Sequence, residues 1–345
     1  MAPNIVGMCG FDTYATADLT KFFPTTIGNT VIETTITPFT TGRSIALGDS
    51  SNFATRPLPA ATTKLALTFY IRVSTNLGLG PLIVRGNDSS TAQTTLFINS
   101  LGFAEFRRGD HTGTLLATSA TQIMMVDAWY HMEVKFTCTT SSSAGDCQLW
   151  VNGVLALSLG GSLSTRNTSN TQYTHFTVSR TTTNSYMDDL IVYDWASGDA
   201  PPIGQYRIST LQPSGNGNNS DFQGSDGNST DNYALMNGTP IATATYVGSA
   251  TPGAVDTYAM GDLATTPSSI LAVQISNIVT KTDAGARTAR NVVRSGTTNY
   301  TGADYAPGVT TYTQMSDIYY TNPDTAAAWD ATGVNAMQAG ITVQA

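Results

Sequence analysis

Three stretches decide the fold: Trp129-Tyr130-His131-Met132-Glu133-Val134-Lys135-Phe136, Gln148-Leu149-Trp150-Val151-Asn152-Gly153, and Met187-Asp188-Asp189-Leu190-Ile191-Val192-Tyr193-Asp194. In the first, Tyr130, Met132, Val134 and Phe136 share one face of an extended chain, and Trp129, His131, Glu133 and Lys135 share the other. Alternation with period two predicts an antiparallel strand buried on one side and wet on the other. The second stretch is a strand ending in Asn-Gly, the dipeptide of a two-residue hairpin turn, because a type I′ turn needs positive φ at both central positions. The third reads as a late strand.

Working outward, Leu65, Leu67, Phe69, Ile71 and Val73 alternate in the same way, and 81–85, 95–99 and 102–107 are further short strands. Strands at this spacing, with no long helical pattern between them, predict a sandwich. Pro201-Pro202-Ile203-Gly204 predicts a break, so residues 1–205 and 206–345 are expected as two domains. The Gly/Asn/Ser-rich segment 213–231 reads as a long surface loop or an interaction loop. In the second domain strands are expected at 243–247, 270–279, 286–294, 311–320 and 341–343. One helical segment is expected over 326–338, capped by Asp324 or Thr325 and ended by Gly340, with Gly333 weakening its middle so that two short pieces are the alternative. The fold class is all-β: a jelly-roll sandwich, then a mainly β domain with one short helical segment.

The 345 residues are 41% hydrophobic but only 12% charged, about half the usual globular share. Thr, Ser, Asn and Gly supply the polarity, as in extracellular-type β proteins and particle components. A net charge of −8 and the lack of a Lys/Arg cluster argue against a nucleic-acid partner. No apolar run is long enough to span a membrane. The start lacks the basic and apolar regions of a secretory signal, so release by a route other than secretion is expected, and cell lysis by a virus after synthesis in the host cytoplasm is one such route. Cys138 and Cys147 flank a Ser/Gly-rich loop and are a candidate disulfide, with two reduced thiols as the alternative; Cys9 reads as core. His111, His131 and His175 form no ligand cluster by spacing.

The three opening stretches, in their order, resemble the concanavalin A-like superfamily and especially laminin G-like modules, over about 200 residues. The resemblance implies a jelly roll of two antiparallel sheets. It also implies glycan contact through loops near Asp188, Asp189 or an exposed aromatic such as Trp129, with Trp150, Tyr173 and Tyr186 also available. Calcium at Asp188 or Asp189 is implied as the one cofactor, although adjacent strand residues point to opposite faces, which opposes shared ligation. Glycosidases of this fold carry paired carboxylates on a Glu-x-Asp-x-(x)-Glu strand. Glu33, Glu105 and Glu133 are the only glutamates here, and none lies in such a pattern. Glu105 and Glu133 therefore read as solvent-facing strand charges, and no enzyme is expected.

The second domain is similar to the tail half of bacteriophage structural proteins, on Ile270-Leu271-Ala272-Val273-Gln274, Arg294-Ser295-Gly296, Asn322-Pro323-Asp324 through Ala328-Trp329, and Gly340-Ile341. This resemblance implies a non-enzymatic virion accessory protein, on the capsid, collar or tail fibre. Its partners would be a major capsid, collar or tail protein and further copies of itself, a trimer among the options. The alternative is a tail-associated lectin for host surface glycan, and a polysaccharide depolymerase ranks after it.

Overall fold

A computed structural model describes residues 3–26, 29–39, 42–49, 54–74, 76–78, 80–141, 144–161, 163–181, 184–195 and 202–344. The chain divides into two units, residues 1–208 and 209–345. The first unit is a sandwich of two antiparallel sheets, as jelly rolls are. Its strands are β1 (Asn4–Cys9), β2 (Thr25–Thr26), β3 (Val31–Glu33), β4 (Ser44–Ala46), β5 (Ala54–Thr62), β6 (Lys64–Val73), β7 (Leu82–Asp88) and β8 (Thr91–Ile98). They continue as β9 (Ala104–Arg108), β10 (Thr114–Thr118), β11 (Trp129–Thr137), β12 (Gln148–Val151), β13 (Val154–Ser158), β14 (Tyr173–Ser179) and β15 (Ser185–Asp194). An eight-stranded sheet runs β13-β12-β11-β6-β15-β4-β3, with β1 also on β15; a seven-stranded sheet runs β10-β9-β8-β7-β14-β5-β2.

Alternation in sequence becomes register in space. Leu65, Leu67, Phe69 and Ile71 of β6 lie opposite Phe136, Val134, Met132 and Tyr130 of β11. Leu82 and Val84 of β7 lie opposite Ile98 and Leu96 of β8 and supply the facing layer. Each fully buried side chain of this size contributes about 1.5–3 kcal/mol. Rings join the sheets: Phe106 meets Phe136 edge to face with centroids 6.2 Å apart, and Phe136 meets Tyr173 in a tilted pair at 6.3 Å. Phe11, Phe22, Phe23 and Phe176 form a second aromatic group inside the same core. The Asn152-Gly153 turn has positive φ at both positions (50° and 81°), as its sequence requires.

In the second unit a five-stranded sheet runs β16 (Pro213–Ser220), β19 (Val255–Met260), β24 (Gln338–Val343), β21 (Ala289–Ser295) and β22 (Thr298–Thr301). Two ribbons accompany it: β17 (Gln223–Gly224) with β18 (Val247–Gly248), and β20 (Val273–Val279) with β23 (Thr313–Tyr319). Val273, Ile275, Val293, Trp329, Val334, Met337 and Ala339 form its core. The Gly/Asn-rich segment is not only loop: 213–220 is an edge strand with a bulge between Asn216 and Ser220. There the Asn219 amide N–H donates to Thr257 Oγ1 (3.1 Å) and the Asn218 amide N–H to Gln338 Oε1 (2.8 Å).

Among its described residues the second unit has two short helices, α1 (Asn232–Met236), which the sequence did not mark, and α2 (Ala331–Ala336), which stands within the expected 326–338. The helix of 326–338 starts late because Ala326 has φ +57° and closes a turn by donating to Asn322 O. Asp330, not Asp324 or Thr325, caps it by accepting from the Gly333 amide (2.7 Å). Gly340 lies in β24, where a Cβ would stand 1.9 Å from Asp256 O.

Gly86 carries a similar constraint in the first core: a Cβ there would lie 2.6 Å from the Tyr173 ring. Gly86→Ala is expected to cost about 1–3 kcal/mol by overpacking. Gly153→Ala meets nothing within 4 Å and is expected to cost only its φ strain, about 1 kcal/mol. Urea unfolding of both variants checks the ranking.

Candidate functional site

The outer face of the eight-stranded sheet carries the residues that the sequence singled out. Successive rows across it are Trp129–Arg72–Tyr186, His131–Tyr70–Asp188 and Glu133–Thr68–Ile191. The expectation of a wet face is overturned, since His131, Glu133 and Lys135 are 3%, 1% and 2% exposed. Chain from 202 to 208 takes part in this burial. The Ile203 and Gly204 amides donate to the Glu133 carboxylate (2.8 and 3.1 Å), Tyr193 Oη donates to it as well, and the Ile208 amide donates to Asp189 Oδ1 (3.1 Å). Arg207 stacks over Phe39, whose ring meets Tyr70, whose ring meets His131. Lys135 Nζ lies between the Trp150 and Trp195 rings, 5.1 and 5.3 Å from their centroids. Buried among apolar groups, His131 is pushed down to about 4 and stays neutral at pH 7.

Asp188 and Asp189 do not obey the simple pleat. A register shift between Asp188 and Ile191, with Asp189 at φ +51°, is a β-bulge. It leaves both carboxylates buried and in electrostatic contact with each other, with Asp12 and with Arg207. Asp188 Oδ1 accepts from the Asp189 amide (2.8 Å), while Asp189 Oδ2 has no hydrogen-bond partner. Burial first, then the neighbouring Asp189 charge, raises Asp188 to about 9; burial, then Asp12, raises Asp189 to about 7. Among the described residues no group of three or more His, Cys, Asp and Glu side chains is placed to hold a metal ion. Trp129 is half-buried beside Arg72, whereas Tyr173 and Tyr186 are buried.

Of the two readings left open for Cys138 and Cys147, the structure has two free thiols, both buried. Burial pushes them up to about 11 and about 12, so neither supplies a thiolate at neutral pH. Glu105, like Glu133, is buried rather than solvent-facing. It accepts from Arg107 Nε (2.8 Å) and Asn99 Nδ2 (2.8 Å) on the other sheet. The two glutamates project outward from different sheets, so they form no carboxylate pair.

The outer face of the seven-stranded sheet gathers a second polar set that the sequence did not mark. Register places Thr55, Thr177, Arg85, Thr95 and Arg107 in one row across β5, β14, β7, β8 and β9. His175 and Asn87 lie opposite each other in the next row on one side, and Ser179, Ile83, Phe97 and Glu105 form the row on the other. The turn after β9 is pinned above this face, because Thr95 Oγ1 donates to Gly109 O (2.6 Å) and Arg107 Nη1 to Gly113 O (3.0 Å). That turn carries His111, whose ring is 5.8 Å from the Phe97 ring and whose Nδ1 is 3.0 Å from Arg85 Nη2. A guanidinium only donates, so Nδ1 accepts and Nε2 holds the proton. Three polar atoms on this face are buried without a partner, Arg85 Nε, Asn87 Oδ1 and Ser179 Oγ, as are Asp189 Oδ2, His131 Nδ1 and Trp195 Nε1 on the chain-covered face of the other sheet. Unsatisfied groups of this kind cost about 1–3 kcal/mol each, and a polar ligand or water would recover that. The sequence carried a faint signal, since Arg85 with Asn87 and Glu105 with Arg107 each break the apolar pattern at one-residue spacing. Which strands stand side by side was the missing information.

No protein-family profile matches the chain, and no curated protein matches it in sequence. Solved structures give distant likenesses. The carbohydrate-binding module CBM66 of Bacillus subtilis is 8% identical, covering 49% of this chain and 97% of the module, with a TM-score of 0.33. Domain 4 of the arabinanase AbnA of Geobacillus stearothermophilus is 10% identical, covering 56% and 94%, with a TM-score of 0.35. The Caenorhabditis elegans galectin LEC-6 is 8% identical, covering 43% and 94%, with a TM-score of 0.30. At these values the likenesses carry no argument about a ligand.

The raised aspartates set a pH dependence. Both folded values lie above the ordinary 3.8, so the fold favours the protonated forms. Their contribution is full below about pH 4 and is lost as pH rises through about 7 and about 9. Urea unfolding at intervals from pH 5 to 9 is expected to show declining stability, and Asp188→Asn is expected to flatten the decline.

Proposed function

We propose that this is a non-enzymatic binding protein whose first unit holds glycan on the outer face of the seven-stranded sheet. The observation that carries the proposal is the set of unpartnered buried atoms there, a donor on Arg85 and an acceptor on Asn87 two residues apart on β7. A sugar hydroxyl both donates and accepts, so a polyhydroxylated chain satisfies both kinds of atom at once. Arg85, His111 and His175 are partly exposed around them. A non-enzymatic role is favoured because Glu105 is tied to Arg107 and Glu133 to Tyr193 and backbone amides, on separate sheets. The face of Asp188 and Asp189 is the less favoured one, being occupied by residues of the chain itself.

A second role fits the second unit. Its own apolar core and its Asn/Gly edge strand suit an anchoring module, so display on a tailed-phage particle, bound to capsid, collar or tail protein, is the setting we favour. Mass spectrometry of purified particles checks this setting, with recovery of the chain in stoichiometric amount as the expected result.

The glycan proposal is checked on an array of neutral and acidic oligosaccharides. Binding is expected, and Asn87→Ala is expected to weaken it about ten-fold, the effect of one hydrogen bond of about 1.4 kcal/mol. Asp189→Asn is expected to leave binding unchanged. A folded protein that gives no signal, or one weakened only by changes on the Asp189 face, contradicts the assignment.

A further inference from the structure

Arg85 is a long side chain with five donors, half-buried on the outer face of the seven-stranded sheet. His111 Nδ1 engages Nη2 at 3.0 Å, while Nε remains unpartnered. His111 is itself fixed from below by Phe97 and along the chain by the Asp110 turn, in which the Thr112 amide donates to Asp110 Oδ1 (2.9 Å). Gly113 closes that turn at a point where a Cβ would stand 2.1 Å from Arg108 O. The imidazole is therefore a rigid acceptor holding a flexible cation.

We propose that His111 is a positioning residue for the glycan face: in its neutral form it orients Arg85 toward the ligand, and its protonation disassembles the site. The inference rests on the proposed glycan function of this face. A protonated imidazole carries hydrogen on both nitrogens and has no lone pair for Arg85. It also adds a second positive charge within hydrogen-bond distance of the first. The charged and titratable groups around the ring are Arg85 from β7, Arg107 and its partner Glu105 from β9, Asp110 from the turn, and His175 opposite Asn87 on β14. Burial is the largest influence on His111, followed by Arg85, with Asp110 opposing; the result is a value below the ordinary 6.5. Neutral pH therefore leaves the ring able to accept, and the site comes apart on the acid side.

The test uses the 345-residue chain labelled with nitrogen-15. The His111 ring nitrogens and the Arg85 side-chain nitrogens are followed by NMR from pH 8 to pH 5, and cellohexaose and hexagalacturonate are titrated calorimetrically at each pH. The expected result is a His111 Nε2–H tautomer at pH 8, and Arg85 signals that shift with the same midpoint as His111. Affinity is expected to fall about ten-fold across that interval. His111→Asn, whose amide oxygen can still accept from Arg85, is expected to retain binding and lose the pH profile, and His111→Leu to bind about ten-fold more weakly at every pH. Arg85 signals indifferent to His111 titration, or His111→Leu binding with parental affinity and pH profile, overturn the proposal. If neither sugar binds while Arg85 still follows His111, the glycan assignment fails and the coupling between the two side chains stands.

Discussion

The first unit depends on β6 being paired along its length on both edges. Leu65, Leu67 and Ile71 face the core between partners on β11 and β15, and Phe69 lies opposite Met132. A one-residue slip of either neighbour would carry its whole apolar set to the wrong face, so burial fixes the register. That register in turn decides which polar residues share each outer face. The rows Trp129–Arg72–Tyr186 and His131–Tyr70–Asp188 exist only because β6 lies between two correctly phased partners.

The two outer faces then meet different fates. On the eight-stranded sheet, Glu133 and Asp189 accept backbone amides from 203, 204 and 208, so the chain supplies partners for carboxylates that would otherwise be desolvated alone. Desolvation still leaves Asp188 and Asp189 raised, with Asp189 Oδ2 unmatched. On the seven-stranded sheet the turn at 109–113 pins Thr95 and Arg107 and brings His111 to Arg85, but leaves Arg85 Nε, Asn87 Oδ1 and Ser179 Oγ unmatched together. Among the described residues both faces hold three unmatched buried atoms, since His131 Nδ1 and Trp195 Nε1 join Asp189 Oδ2 on the first. What separates them is that the chain itself covers the first face, which is why the second is the one proposed as the ligand surface.

Much of the first unit was legible from alternation alone. Strands β6 and β11, the Asn152-Gly153 turn and the two-sheet architecture follow from period two and turn chemistry. What alternation could not give was cover: His131, Glu133 and Lys135 read as wet because nothing local announces that Trp195 and the segment at 203–208 lie over them. The bulge at Asp189 was also hidden, since a non-glycine residue at positive φ leaves no compositional mark. In the second unit a Gly/Asn-rich strand and a helix beginning at Ala331 were misread for the opposite reason, because backbone pairing overrode local propensity. The site built from Arg85, Asn87 and His111 was invisible, because it is made by three segments whose adjacency is tertiary.

The most direct measurement is chemical-shift mapping of the labelled 345-residue chain with whichever oligosaccharide an array selects. The account predicts the largest changes at Arg85, Asn87, His111, Thr177 and Ser179, with Asp188, Asp189 and Tyr70 unmoved. Changes concentrated on Trp129, Tyr70 and Asp188, or confined to the second unit, would contradict it.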